Sequence, residues 1–175
     1  MAEIGRFTAQ NRRAWNEIAR VRERAHLRTG TFQPISFFAQ GGSCLAQPVV
    51  EAVGDVRDES LLHLMCATGR DSLSWANLGA RVTGVDISDE AIALACDNAR
   101  QAGLDVRFVA ADLYDLPPDL QQGSFDVVYI AGGVLCWLPE IDEWARVVAR
   151  ALAPGGRLVL AEEHPVAACI LEHGR

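Results

Sequence analysis

The sequence predicts one α/β domain, doubly wound, with a mainly parallel sheet and helices on both of its faces. Two observations predict it. From Ser60 onward, short apolar runs alternate regularly with stretches of helical character, and such alternation gives a parallel sheet joined by right-handed crossovers. The chain of 175 residues is also the size of one ordinary domain, long enough to bury a core and too short for two full ones.

Each element follows from its local pattern. From Ala9 to about Leu27 the chain is polar but rich in helix formers. Trp15, Ile18, Ala19 and Arg22 share one face at helical spacing, which predicts an amphipathic helix. The next stretch, TGTFQPISFFAQGGSCLAQP, holds glycines, prolines and the aromatics Phe32, Phe37 and Phe38 without a period, and is expected to be a long functional or mobile loop. LLHLMC is the first strand. DSLSWANLG is a helix stopped by Gly79, a good left-handed terminator, and ARVTGVD is the second strand, ending at Asp86. Ser88 caps the following helix, and Asp89 and Glu90 sit in its first turn, where the positive dipole end favours them. Ile92, Ala95, Cys96 and Ala99 form its expected buried stripe, and Gly103 ends it. DVRFVA and FDVVYIA are the third and fourth strands, and IDEWARVVARAL is a helix with Ile141, Trp144, Val148 and Leu152 on one face. GRLVLAE, after the turn at Pro154, Gly155 and Gly156, is the fifth strand. The chain thus divides into an N-terminal helix with a lid loop, 1–47, and a body, 48–175.

Composition removes several function classes. Half the residues are hydrophobic and 22% are charged, a globular balance. A net charge of -7 argues against a general nucleic-acid binder, which needs an excess of cations to neutralise phosphates. No apolar run approaches membrane-spanning length and the first residues lack the apolar core of a signal peptide, so the expectation is a cytoplasmic protein without a membrane partner. All 16 basic residues are arginine. Without lysine there is no phosphate-loop hydrolysis of the usual kind and no Schiff-base chemistry. The cysteines are odd in number, widely spaced and set among apolar neighbours, which reads as buried, reduced thiols and no metal site.

In a sheet of this kind ligands bind in the crevice beyond the carboxyl ends of the strands. Cys66 to Asp71, Asp86, Ala111 to Leu113, Ala131 to Trp137 and Glu162 to Pro165 gather there. The first loop, LLHLMCATGRDS, keeps only Gly69 where a dinucleotide site uses three glycines to let backbone amides approach a pyrophosphate. That weighs against a nicotinamide oxidoreductase, the rival enzyme reading. Asp86 stands where a carboxylate accepts both hydroxyls of a ribose, and Asp112 is placed to accept from an exocyclic amine while Leu113 packs on a base.

These residues resemble the class I S-adenosylmethionine-dependent methyltransferases over roughly residues 60–163. The match is a constellation in the family's order: the turn at Cys66 to Gly69, GARVTGVDIS with Asp86, Ala111-Asp112, FDVVYIAGGVLCWL, and LAPGGRLVL. The resemblance implies a Rossmann-like sheet in the order 3-2-1-4-5 and S-adenosylmethionine as cofactor. It implies that Cys66, Ala67, Thr68 and Gly69 pass the methionine part, that Asp86 with Ile87 holds the ribose, that Asp112 and Leu113 flank the adenine, and that Ala131 lies beside the sulfonium. The sequence departs from the family at the first loop: an acid followed by Gly-x-Gly-x-Gly is replaced by His63, Met65, Ala67 and Gly69. A sulfonium cofactor carries no phosphate and does not need a glycine nest, and Thr68 or Arg70 can meet its carboxylate, Arg70 reading equally well as an ordinary surface charge at the start of a helix.

The reaction implied is an in-line displacement of the methyl group by an O, N, S or C atom of a small-molecule acceptor. Alignment of the reactants can supply about 7 kcal/mol or more of such a barrier, so a general base is optional. His164, just past the fifth strand, is the candidate base or else a polar residue closing that strand. His63 and Tyr129 read as core residues inside strands. Trp15, Phe37, Phe38 and Trp137 are candidates for a lid over an apolar or aromatic acceptor, or for aromatic packing alone. A methyltransferase-like binding domain without turnover is the rival from outside enzymology. The family's final strands have no counterpart after GRLVLAE, which points to a truncated form and an open sheet edge through which copies could associate.

Overall fold

A computed structural model of the chain describes residues 2–162 and Val166. Its sheet contains β1 (Ser60–Leu64), β2 (Arg81–Asp86), β3 (Arg107–Ala110), β4 (Phe125–Ala131) and β5 (Leu152–Ala161), in the order β3-β2-β1-β4-β5. All four neighbouring pairs are parallel. The helices are α1 (Ala2–Thr29), α2 (Ile35–Ala39), α3 (Gln47–Val53), α4 (Arg70–Asn77), α5 (Asp89–Ala102) and α6 (Ile141–Ala151).

The two-residue period of a strand divides the core between the two faces of the sheet. Leu62, Leu64, Val128 and Ile130 bury against Trp144, Val147 and Val148 of α6. Leu61, Val82, Val127 and Tyr129 bury on the opposite side with Trp75 of α4 and Val53 of α3. The central strands are therefore apolar on both faces, as parallel strands covered on both sides must be.

Several local expectations are corrected. The stretch after α1 is not a structureless loop: it contains α2 and α3, the latter with Pro48 in its first turn, where a missing N–H costs nothing. Phe38 is fully buried against Leu73, Ala99 and Ala102, with Phe37 beside it. Helix α1 extends well beyond Ala9–Leu27, and Ile18 faces solvent at 42% exposure. The inward side of α1 carries Thr8, Trp15, Ala19 and Glu23, so polar and apolar groups share it equally. In α5 the buried stripe is Ala91, Ile92, Ala95, Asn98, Ala99 and Ala102, and Cys96 lies off it in solvent. Ile141 of α6 is exposed, and Val147 takes the buried place instead. Of the four described cysteines only Cys66 is buried, because apolar neighbours in sequence do not fix the direction of a side chain.

The turn expected at Pro154, Gly155 and Gly156 is an interruption inside β5. Pairing with β4 steps from Phe125–Leu152 to Val127–Arg157, so the intervening residues of β5 loop out of register. Gly156 is required there, since a Cβ would lie 2.8 Å from the carbonyl oxygen of Phe125. Among the described residues β5 pairs only with β4, and Leu158 and Leu160 are 38% and 37% exposed. No described helix is long and apolar enough to cross a membrane. The expectation for the segment after Glu162, including His164, lies outside the described residues.

Candidate active site

The carboxyl ends of the strands and the inner face of α1 enclose a cavity of about 360 Å³, within the size range of small-molecule sites, about 300 to 1,000 Å³. Cys66, Ala67, Thr68, Asp86, Ile87, Asp112, Leu113 and Ala131 line it, as do Trp15 and Trp137. Phe37 and Phe38 do not, because core packing has taken them. Gly69 is not at the surface of the cavity either. It has φ of 78° at the start of α4, and a Cβ there would lie 2.6 Å from the Phe108 ring, so backbone shape and packing demand the glycine.

The loop after β1 is left-handed at two residues with side chains, Met65 at φ 57° and Ala67 at φ 49°. The loop keeps a backbone suited to glycine where glycine is absent. Its end is fixed to β2 by Asp86, whose carboxylate accepts the Ala67 N–H at 2.8 Å and the Ser88 N–H at 2.9 Å. Burial raises the Asp86 pKa, and those backbone hydrogen bonds oppose the rise. Two acceptors per oxygen leave it capacity for ligand hydroxyls. Asp112 accepts the Tyr114 N–H at 3.0 Å through one oxygen, directly before the buried Leu113. Burial, assisted by the charge of Asp86, raises the Cys66 thiol well above its ordinary value, so it is no thiolate.

The floor of the cavity under the loop is a set of buried polar groups. His63 Nδ1 and Ser72 Oγ share a hydrogen bond of 2.8 Å, and burial lowers the imidazole to about 4 despite the nearby charge of Asp71. Asp71 accepts the Tyr129 hydroxyl at 3.0 Å. Both residues were expected to pack, and Tyr129 does, but His63 also lines the cavity.

Helix α1 forms the roof. Asn16 donates to Asp89 at 3.3 Å and accepts from Ser88 at 2.7 Å, while Asn11 donates to the carbonyl of Trp137 at 3.0 Å. Glu162, just after β5, accepts the N–H groups of Val134 and Leu135 and fixes the turn that carries Trp137. Sequence reasoning missed Glu23, Phe32, Tyr114 and Asn11 as cavity residues. Nothing local marks Asn11 and Glu23, since their position follows from how α1 crosses the sheet.

Fold and cleft together define a doubly wound domain with a nucleoside-sized site at its strand tips. Comparison with known proteins makes the class specific. Residues 61–156, more than half of the chain, match the profile of the family described as "Methyltransferase domain". The chain belongs to that family, the class I S-adenosylmethionine-dependent methyltransferases. It is 42% identical over 88 residues to a demethylmenaquinone methyltransferase of Thermus thermophilus, an alignment spanning 50% of this chain and 38% of the relative. It is 30% identical over 127 residues to methyltransferase GfsG of Streptomyces halstedii, spanning 71% of this chain and 45% of the relative. A solved S-adenosylmethionine dependent methyltransferase of Mesorhizobium loti superposes with a TM-score of 0.59 at 31% identity, over 68% of this chain and 52% of that one. The chain thus spans less than half the length of these curated relatives.

Proposed function

We propose that the chain catalyses methyl transfer from S-adenosylmethionine to an O, N, S or C atom of a small-molecule acceptor, in the cytoplasm. The observation that carries the reading is Asp86, a buried carboxylate at the tip of β2, bonded to the loop after β1 and open to the cavity. The fit with this cofactor is good. Met65 and Ala67 crowd the loop against a pyrophosphate, whereas a nucleoside without phosphate asks only for hydroxyl acceptors and an apolar slot.

When bound, the cofactor supplies a methyl group already activated on a sulfonium. The chain's part is to bind, orient and keep dry. Asp86 with Ile87 would hold the ribose, Asp112 and Leu113 the base, Cys66 to Thr68 the methionine part, and Ala131 would stand on the sulfonium side. Carboxylates at the strand ends favour a cationic ligand by simple Coulomb attraction. Trp15 and Trp137 close over the acceptor and exclude water, and His164 takes its proton where it has one. An aromatic roof suits a flat, apolar acceptor. The relatives named demethylmenaquinone methyltransferase support that class. Among the described residues β5 has β4 as its one neighbour, and its half-exposed Leu158 and Leu160 support self-association through the sheet.

The test is titration calorimetry with S-adenosylhomocysteine, followed by transfer of a labelled methyl group to a panel of quinols and phenols. Binding and label transfer are expected. Binding of NADH in place of the homocysteine nucleoside would overturn the reading in favour of an oxidoreductase. Nucleoside binding with no transfer to any acceptor would leave a binding domain.

A further inference from the structure

Helix α1 is fastened along one side and bare along another. On the fastened side the buried Arg70 donates to Glu23 at 2.6 Å, and Ser88 donates to Asn16 at 2.7 Å. Beside that face the helical repeat gathers Phe7, Ala14, Ile18, Val21 and Ala25 into an arc of about 60°, a strip running along most of the helix. Val21 is 67% exposed, and Phe7 and Ile18 also stand in solvent. Apolar side chains aligned in water forgo the free energy that a covering partner would return.

Further around the helix, away from the cavity, come Arg6, Arg13, Arg24 and Arg28, all exposed. Of the seven arginines of α1 only Arg20 has a carboxylate partner, Glu90, among the described residues. Glu3 and Glu17 oppose the others without cancelling them, so this edge is cationic on a chain whose net charge is -7. Val21, Arg24, Ala25 and Arg28 together line an open groove, in which two cationic side chains stand beside two apolar ones.

That juxtaposition narrows the partner. A second copy of α1 would set arginine against arginine. A nucleic-acid backbone would meet the arginines and leave Phe7, Ile18 and Val21 in water. A bilayer containing anionic lipid meets both, taking the strip at the boundary of headgroup and acyl chain and the arginines at its phosphates. No described helix is long and apolar enough to cross a membrane, and a helix that lies on one need not be.

We propose that α1 docks the protein on an anionic lipid bilayer, lying along the surface with its apolar strip in the headgroup boundary and Arg6, Arg13, Arg24 and Arg28 on lipid phosphates. The docking stands apart from the methyl-transfer reading. The adjoining face of the same helix lines the cavity through Asn11 and Trp15, so docking carries one wall of the cleft to the lipid.

Co-sedimentation of the full chain with vesicles of phosphatidylcholine alone, and of phosphatidylcholine mixed with phosphatidylserine, tests this. Binding is expected to be at least tenfold tighter to the mixed vesicles and to weaken as salt is raised. Each arginine near an anionic surface contributes about fivefold, so Arg24→Gln combined with Arg28→Gln is expected to lose tenfold or more. Ile18→Ser combined with Val21→Ser changes no charge and is expected to lose about as much through the strip alone. Wild-type binding by either double variant, equal binding to both vesicle types, or no binding at all overturns the proposal. An RNA duplex that binds through the arginines while the vesicles do not bind assigns the edge to nucleic acid instead. A dimer in sedimentation velocity without lipid, dissolved by the serine variant, assigns the strip to a second copy. Should a variant not fold, amide exchange on the wild type decides. Residues 2–29 are expected to slow on mixed vesicles, and no change there overturns docking through α1.

Discussion

Trp15 of α1 and Trp137 beyond β4 meet edge to face, ring centroids 5.1 Å apart and planes inclined at 68°. This contact joins a helix that precedes the sheet to a turn anchored by Glu162 at its far side, and both rings line the cavity. An edge-to-face pair contributes about 0.5–1.5 kcal/mol beyond burial. A double-mutant cycle of Trp15→Ala and Trp137→Ala, followed by urea unfolding, should show coupling in that range. Strict additivity would mean that the rings do not stabilise one another.

Asp86 joins β2 to the loop after β1 and lines the cavity. Asp86→Ala should weaken S-adenosylhomocysteine by about 1.5 to 3 kcal/mol, the worth of hydrogen bonds to a charged group, or roughly 10- to 150-fold in Kd. Calorimetry giving an unchanged Kd would remove Asp86 from the ribose site.

The left-handed residues in that loop make opposite predictions. Ala67 has little side chain to lose, so Ala67→Gly relieves strain and should raise stability by on the order of 1 kcal/mol. Met65 packs against the core of the α6 face, and Met65→Gly gives up that burial, about 2 kcal/mol or more, for the same relief. Thermal melts should therefore move up for the first variant and down for the second.

His63 makes stability depend on pH. Its folded pKa is about 4, chiefly through burial, against about 6.5 unfolded. Between those values the unfolded chain binds the extra proton, so the contribution is fully present above pH 6.5 and is lost as the pH falls toward 4. The full effect is up to about 3 kcal/mol. Denaturant midpoints should fall over this interval in the wild type, and the slope should flatten in His63→Gln. Parallel profiles would place the proton elsewhere.

How much of this was readable in the sequence follows from which forces are local. The strands and the caps at Ser88 and Gly103 announce themselves because apolar runs and capping residues act within a few positions. Asp86 and Asp112 were identifiable because strand tips are fixed once the strands are. Phe38 was misassigned because an aromatic in an aperiodic stretch looks the same whether it covers a ligand or fills a gap between α4 and α5. Glu23 stayed hidden for the complementary reason. A glutamate on a polar helix gains meaning only when Arg70, 47 residues later, is packed beneath it.

Helix α1 is a single uninterrupted segment, yet it supplies one whole wall of the cleft through Thr8, Asn11, Trp15, Ala19 and Glu23. The opposite wall is assembled from loops at the ends of four strands. The two halves of the chamber are thus written in separate stretches of code, one contiguous and one dispersed. Grafting a foreign helix that retains Asn16 and Glu23 as its attachment points would recast the α1 wall in one cut, with the strand-tip wall untouched. Variation confined to that one helix would reshape half of the cleft while the strand-tip half stayed as it is.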